Sequence, residues 1–177
     1  MNAHRFTVVA GMILAGAACQ FIPHPQNFSP MGSLALFGGA QLSDKRAAFL
    51  VPVLSMFLAD LVTGFHLLMP FVYVSFLLTV CIGFRLRSQR STTRVMVTSF
   101  TSAVLFFVIT NFGVWALLGT YSQTPAGLLA CYVAAIPHFQ NTLSSNLLYS
   151  FVLFGGFAIA ERRFTKLREP LSIPSPV

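Results

Sequence analysis

The chain has 177 residues, of which 55% are hydrophobic and only 8% charged, with a mean hydropathy of +0.75 and a formal net charge of +7. A soluble domain carries about 25% charge, so the composition excludes a water-soluble enzyme and predicts an all-α integral membrane protein; strands of a barrel would alternate in polarity, and these apolar runs do not. The positive charge does not point to nucleic acid, because every Lys and Arg falls at the end of an apolar run, and the chain has no Walker A sequence, GxGxxG, CxxC pair or zinc-ligand spacing.

Residues 5–22 read as the first helix. Its positive start and its Ala15-Gly16-Ala17-Ala18 run also resemble a signal peptide, although Gly16 stands where a lipoprotein box ahead of Cys19 needs a large aliphatic residue. Gly11 and Ala15, four apart, offer a smooth face for helix packing. PHPQNFSP (residues 23–30) is a rigid loop without Lys or Arg. The second helix, 30–43, is rich in small residues and has an apolar stretch of about twelve residues, roughly 18 Å. That is short for a hydrocarbon core of about 30 Å, so either the preceding loop dips inward or the helix leaves a recess. Irregular backbone at membrane depth must be buried or line a cavity.

The third helix is predicted over 47–65, kinked at Pro52, after the turn Asp44-Lys45-Arg46. The fourth, 70–87, opens at Pro70, stays apolar past Cys81 and stops at an arginine cluster. The fifth covers 95–118. A segment without Lys or Arg follows, with a short helix over 125–136, and then the sixth helix, 142–161. Residues 162–177 form a basic, then proline-rich tail that is expected to be mobile. The basic residues are Arg5, then Lys45 and Arg46, then Arg85, Arg87, Arg90 and Arg94, then Arg162, Arg163, Lys166 and Arg168, which leaves the first, third and fifth loops without any. The positive-inside rule then gives one domain, 1–177, of six transmembrane helices with both termini cytoplasmic.

Polar groups gather on the opposite, outer side. His24, Asn27, Phe28, His66, His138 and Asn141 lie in or beside outer loops; Asp60 lies near the outer end of the third helix, Tyr73 near that of the fourth, and Asn111 and Trp115 in the outer half of the fifth. Tyr121, Tyr132, Gln140 and Asn146 share that side. Together they suggest an outward-opening cavity lined by amides, hydroxyls and aromatics, suited to a large ligand with many amides. Interfacial Trp and Tyr are also ordinary belt residues. Asp60 could bind ligand, carry a proton or cap the turn at Thr63-Gly64; an ionisable group within a membrane segment is a functional candidate by default. Cys81 is either a small packing hydrophobe or a thiolate ligand for a transition metal. No His or second Cys lies three or four residues away, so a lone thiol suits a metal already held in a macrocycle with an open axial position. Cys131 is the rival candidate and Cys19 a weaker one.

Residues 23–40 (PHPQNFSPMGSLALFGGA), 110–143 (TNFGVWALLGTYSQTPAGLLACYVAAIPHFQNTL) and 154–161 (FGGFAIAE) resemble small six-helix proteins related to the substrate-binding S-components of ECF-type vitamin transporters. The lone mid-membrane Cys81 is similar to the cysteine of the BtuM-type cobalamin transporters. The resemblance implies a bacterial inner-membrane location and a periplasm-facing pocket. It also implies cobalamin or a related corrinoid as the transported ligand, and Cys81 as axial cobalt ligand and catalytic group for removal of the upper ligand. An ECF-type coupling module is the implied partner, although BtuM-type proteins look solitary; this chain has no ATP site of its own. The alternatives are a carrier for another small nutrient with no metal ligation, or a thiol-dependent corrinoid-processing membrane enzyme.

Overall fold

Side-chain caps mark where the helices begin. The Asp44 carboxylate accepts from the Ala47 N–H at 2.9 Å, Ser91 Oγ from Arg94 at 3.4 Å and Thr124 Oγ1 from Gly127 at 3.1 Å; each satisfies an N–H that the first turn leaves without a partner. The computed structural model describes residues 3–167. In chain order the helices are α1 (Ala3–Ala18), α2 (Met31–Gln41), α3 (Lys45–Thr63), α4 (Met69–Phe84), α5 (Thr92–Leu117), α6 (Pro125–Ala134) and α7 (Ile136–Arg163), with 3-10 turns at Cys19–Phe21 and Thr165–Leu167. No strand occurs among the described residues. α3, α5 and α7 are long and apolar enough to cross a membrane, and α4 and α6 are shorter apolar helices. Leu50, Leu54, Leu58, Leu61, Phe151 and Ile159 are exposed on the outside of the bundle. A soluble monomer rarely exposes so large an apolar surface, and this is the make-up of an integral membrane protein.

α2 is the axis of the bundle: from Ser33 to Gln41 every residue is buried. Glycines let it approach α4 to backbone contact. A Cβ placed on Gly39 would fall 2.3 Å from the Val80 carbonyl oxygen, and one on Gly83 would fall 2.5 Å from that of Leu36. On the other side of α2, Phe37 meets Phe154 and Phe157 of α7 edge-on, at centroid distances of 5.2 and 5.7 Å. Three fully buried serines link α2, α5 and α7: Ser99 donates to Ser150 at 2.8 Å, and Ser150 to Ser33 at 3.3 Å.

Arginines close one end. Arg5 is 1% exposed, pairs with Glu161, donates to Gln41 Oε1 and to the Leu167 carbonyl, each at 2.7 Å, and lies over the Phe157 ring. Arg87 donates to the Gly39 carbonyl at 2.9 Å and to the Leu42 carbonyl just past the end of α2, where cations complement the helix dipole.

Most helix boundaries fall within four residues of those predicted, and two differences change where named residues lie. The sixth predicted helix starts at Ile136 rather than 142, because Ala135 alone separates it from α6 and Pro137 suits a first helical turn; His138 and Asn141 are therefore helical. Residues 162–167, expected to belong to a mobile tail, are instead packed on the bundle. Arg162 and Arg163 end α7, Leu167 is buried and its carbonyl holds Arg5; residues from 168 lie outside the described residues.

Candidate functional site

At the end away from the arginines, a cavity of about 260 Å³ opens over the N-terminus of α2. It exists because α2 is too short to fill the bundle to that end. The turn and loop after α1 contribute Gln20, His24, Asn27 and Ser29, and α2 contributes Met31 and Gly32. α3 contributes Met56, Ala59, Asp60 and Thr63, one helical stripe, and His66 follows it. Val72, Phe76 and Thr79 of α4, Ser102 and Phe106 of α5, and Thr142 and Asn146 of α7 complete the wall.

Most hydroxyls in this wall are satisfied within their own helices. Thr79 donates to the Ser75 carbonyl at 2.9 Å, Ser102 to Thr98 at 2.8 Å and Thr142 to His138 at 3.2 Å. Two side chains differ. Asp60 accepts from the Tyr73 hydroxyl at 2.7 Å through Oδ2, while Oδ1 has no hydrogen-bond partner among the described residues. Asn146 is 3% exposed, and its side-chain amide likewise has none. That amide lies directly over Gly32, where a Cβ would fall 2.4 Å from Asn146 Oδ1; only glycine there leaves it room. The amide reaches the cavity rather than being sealed in protein, so a molecule held there can hydrogen-bond to it.

The 23–30 loop forms the rim. Asn141 Nδ2 donates to the Gln26 carbonyl at 3.0 Å, and Ser29 Oγ to Gln20 Oε1 at 2.7 Å. Asn27 adopts φ 61°, a left-handed conformation that Asn tolerates better than most residues.

Of the residues expected at a site, Asn27, Asp60 and His66 line the cavity, and Tyr73 holds Asp60 from behind. Asn141 acts indirectly, by fixing the rim loop. Phe28 packs on Tyr149 at 6.0 Å, and His138 is exposed on α7. Asn111, Trp115 and Tyr132 build a separate corner between α5 and α6. There Asn111 Nδ2 donates to Phe107, Trp115 Nε1 to the Ser122 carbonyl and Tyr132 to the Val108 carbonyl. Tyr132 also faces a shallow apolar groove with Phe71 and Phe112. Tyr121 is half-buried and lies outside the cavity wall.

Cys81 is not at the cavity. It is exposed on the outside of α4. At about 100° per residue, Cys81 stands about 200° around the helix from Thr79, whose side lines the wall. Cys131 is buried, with Sγ 3.4 Å from the Asn111 carbonyl, and burial pushes its thiol up, keeping it protonated. Cys19, in the turn that follows α1, donates to the Ala15 carbonyl of that helix. No group of three or more His, Cys, Asp or Glu placed to hold a metal occurs among the described residues.

Gln20, Phe76, Thr79, Ser102, Phe106 and Thr142 join the wall without having stood out in the sequence. A signal is present for Thr79 and Thr142: within apolar helices, Ser75, Thr79 and Gly83 on α4, and Thr142, Asn146 and Ser150 on α7, recur every fourth residue. Such a polar stripe marks the face turned from lipid.

The chain belongs to DUF6580, a family of unknown function, whose family model matches residues 1–167. No curated protein and no solved structure matches the chain.

Proposed function

We propose that this member of DUF6580 is the substrate-binding component of a nutrient uptake system. It captures a small organic molecule from the outer side of a bacterial inner membrane. α1 to α5 and α7 are the six crossings, with α2 crossing together with the 23–30 loop, and both termini are cytoplasmic. The sorted basic residues support that orientation, and it turns the cavity outward.

The observation that carries the reading is the Asn146 amide, which belongs to a residue only 3% exposed, has no hydrogen-bond partner among the described residues and lines the open cavity. A small polar ligand would supply the missing hydrogen bonds. Largely apolar pockets with a few convergent polar groups are the usual form of a small-molecule site. An ECF-type coupling module is the fitting partner, since it would bring the ATP hydrolysis for which this chain has no motif.

A corrinoid would need both a wider cavity and another cobalt ligand. The space of about 260 Å³ falls below the roughly 300–1,000 Å³ of pockets for drug-sized ligands, and a corrinoid is larger than those.

Small molecules released on denaturation of the detergent-purified protein, identified by mass spectrometry, test the proposal. A compound released by the wild type and depleted about tenfold in Asn146→Leu, the equivalent of about 1.4 kcal/mol, is expected. Equal release from both proteins, or none from either, would overturn it. Red protein containing cobalt after growth with cobalamin would establish the corrinoid alternative instead.

A further inference from the structure

We infer that the ligand of this cavity is a small organic cation, whose amine or amidinium nitrogen pairs with Asp60 while its apolar or aromatic body lies against Phe76 and Phe106. This rests on the binding function proposed above and names its ligand class.

Asp60 carries the argument. It lines the cavity, and no Lys or Arg among the described residues does. Capping does not explain its carboxylate, because the Gly64 N–H that closes α3 donates to the backbone oxygen of Asp60 at 2.8 Å. The carboxylate instead accepts from Tyr73 with one oxygen and presents the other without a hydrogen-bond partner among the described residues.

Its position is electrostatically unfavourable for an anion. Asp60 sits in the last turn of α3, at the negative end of the helix dipole, where cations are stabilised and anions are not. A carboxylate in a membrane segment adds a desolvation cost. Both costs fall when a cation occupies the cavity.

The rest of the wall suits the body of such a ligand. The Phe76 and Phe106 rings line the cavity with centroids 5.5 Å apart and planes inclined by 33°. They offer an apolar surface and, toward a cation, the negative face of an aromatic ring. The unpartnered Asn146 amide provides a separate hydrogen-bonding contact. A volume of about 260 Å³ suits a ligand smaller than the drug-sized ones that fill pockets of roughly 300–1,000 Å³.

Three probes of one shape separate charge from fit: benzylamine, benzyl alcohol and benzoate, measured by equilibrium dialysis against the full chain in detergent. Benzylamine is expected to bind at least about tenfold more tightly than benzyl alcohol, a difference of about 1.4 kcal/mol, and benzoate more weakly than either. Asp60→Asn should remove that preference. Should Asp60→Asn fail to fold, Tyr73→Phe, which loosens the carboxylate, should reduce the preference several-fold. Alcohol or benzoate binding as well as the amine, or a preference that survives Asp60→Asn, overturns the ligand class and leaves the binding function standing. No binding by any of the three overturns the class when a neutral or anionic native ligand is released on denaturation. When nothing is released either, the binding function falls with it.

Discussion

Substituting Gly39 with alanine tests the central crossing of the fold. An added Cβ would stand 2.3 Å from the Val80 carbonyl oxygen and 3.1 Å from the Gly83 Cα. Both are backbone atoms, so no side-chain rotation relieves the contact. Ordinary van der Waals contact begins near 3.4 Å, and α2 and α4 would have to separate locally by about 1 Å. Because α2 is buried on all sides, that shift propagates to Phe37 and its contacts with Phe154 and Phe157. It also disturbs the bond from Arg87 to the Gly39 carbonyl. Overpacking of this kind costs about 1–3 kcal/mol, against which the helix propensity of alanine returns only about 0.5–1 kcal/mol.

Gly156→Ala is the matched control, since nothing lies within 4 Å of its Cβ position; there the propensity gain stands alone. Thermal unfolding in one detergent, followed by helical circular dichroism, should place Gly39→Ala below the wild type and Gly156→Ala level with it or above. A Gly39→Ala protein as stable as Gly156→Ala would refute the close crossing and, with it, the placement of α2 at the centre.

Arg5→Met should destabilise by about 3 kcal/mol, because it removes a buried cation that holds Glu161, Gln41 and the Leu167 carbonyl together and strands part of that polar cluster; the partial exposure of Glu161 keeps the figure at the low end, and the same unfolding assay reads it. Cys81→Ser should leave small-molecule release within experimental scatter, since the thiol lies outside the cavity wall; a loss comparable to that of Asn146→Leu would place Cys81 in the site after all.

Much of the architecture is legible in the residues themselves. Apolar runs ending at arginines predict helices close to those observed, with α4 predicted over 70–87 and found at Met69–Phe84. The shortness of α2 predicts a recess, and the lack of basic residues in alternate loops predicts which end it opens from. These features are one-dimensional: length against a bilayer and charge against an interface need no partner chain segment to define them.

What the sequence left open is which side of each helix faces inward, because that depends on what packs there. Cys81 and Thr79 are two residues apart on one helix, and only the contact of α4 with α2 through Gly39 and Gly83 turns Thr79 inward and Cys81 out. Asn146 lies 114 positions from Gly32, yet the absence of a side chain on one makes room for the amide of the other. Arg5, at the start of α1, becomes a buried tie only when α7 and its final turn fold against it. Helix existence follows from local composition; the cavity, and which residues line it, followed from close approaches between segments that only the tertiary structure brings together.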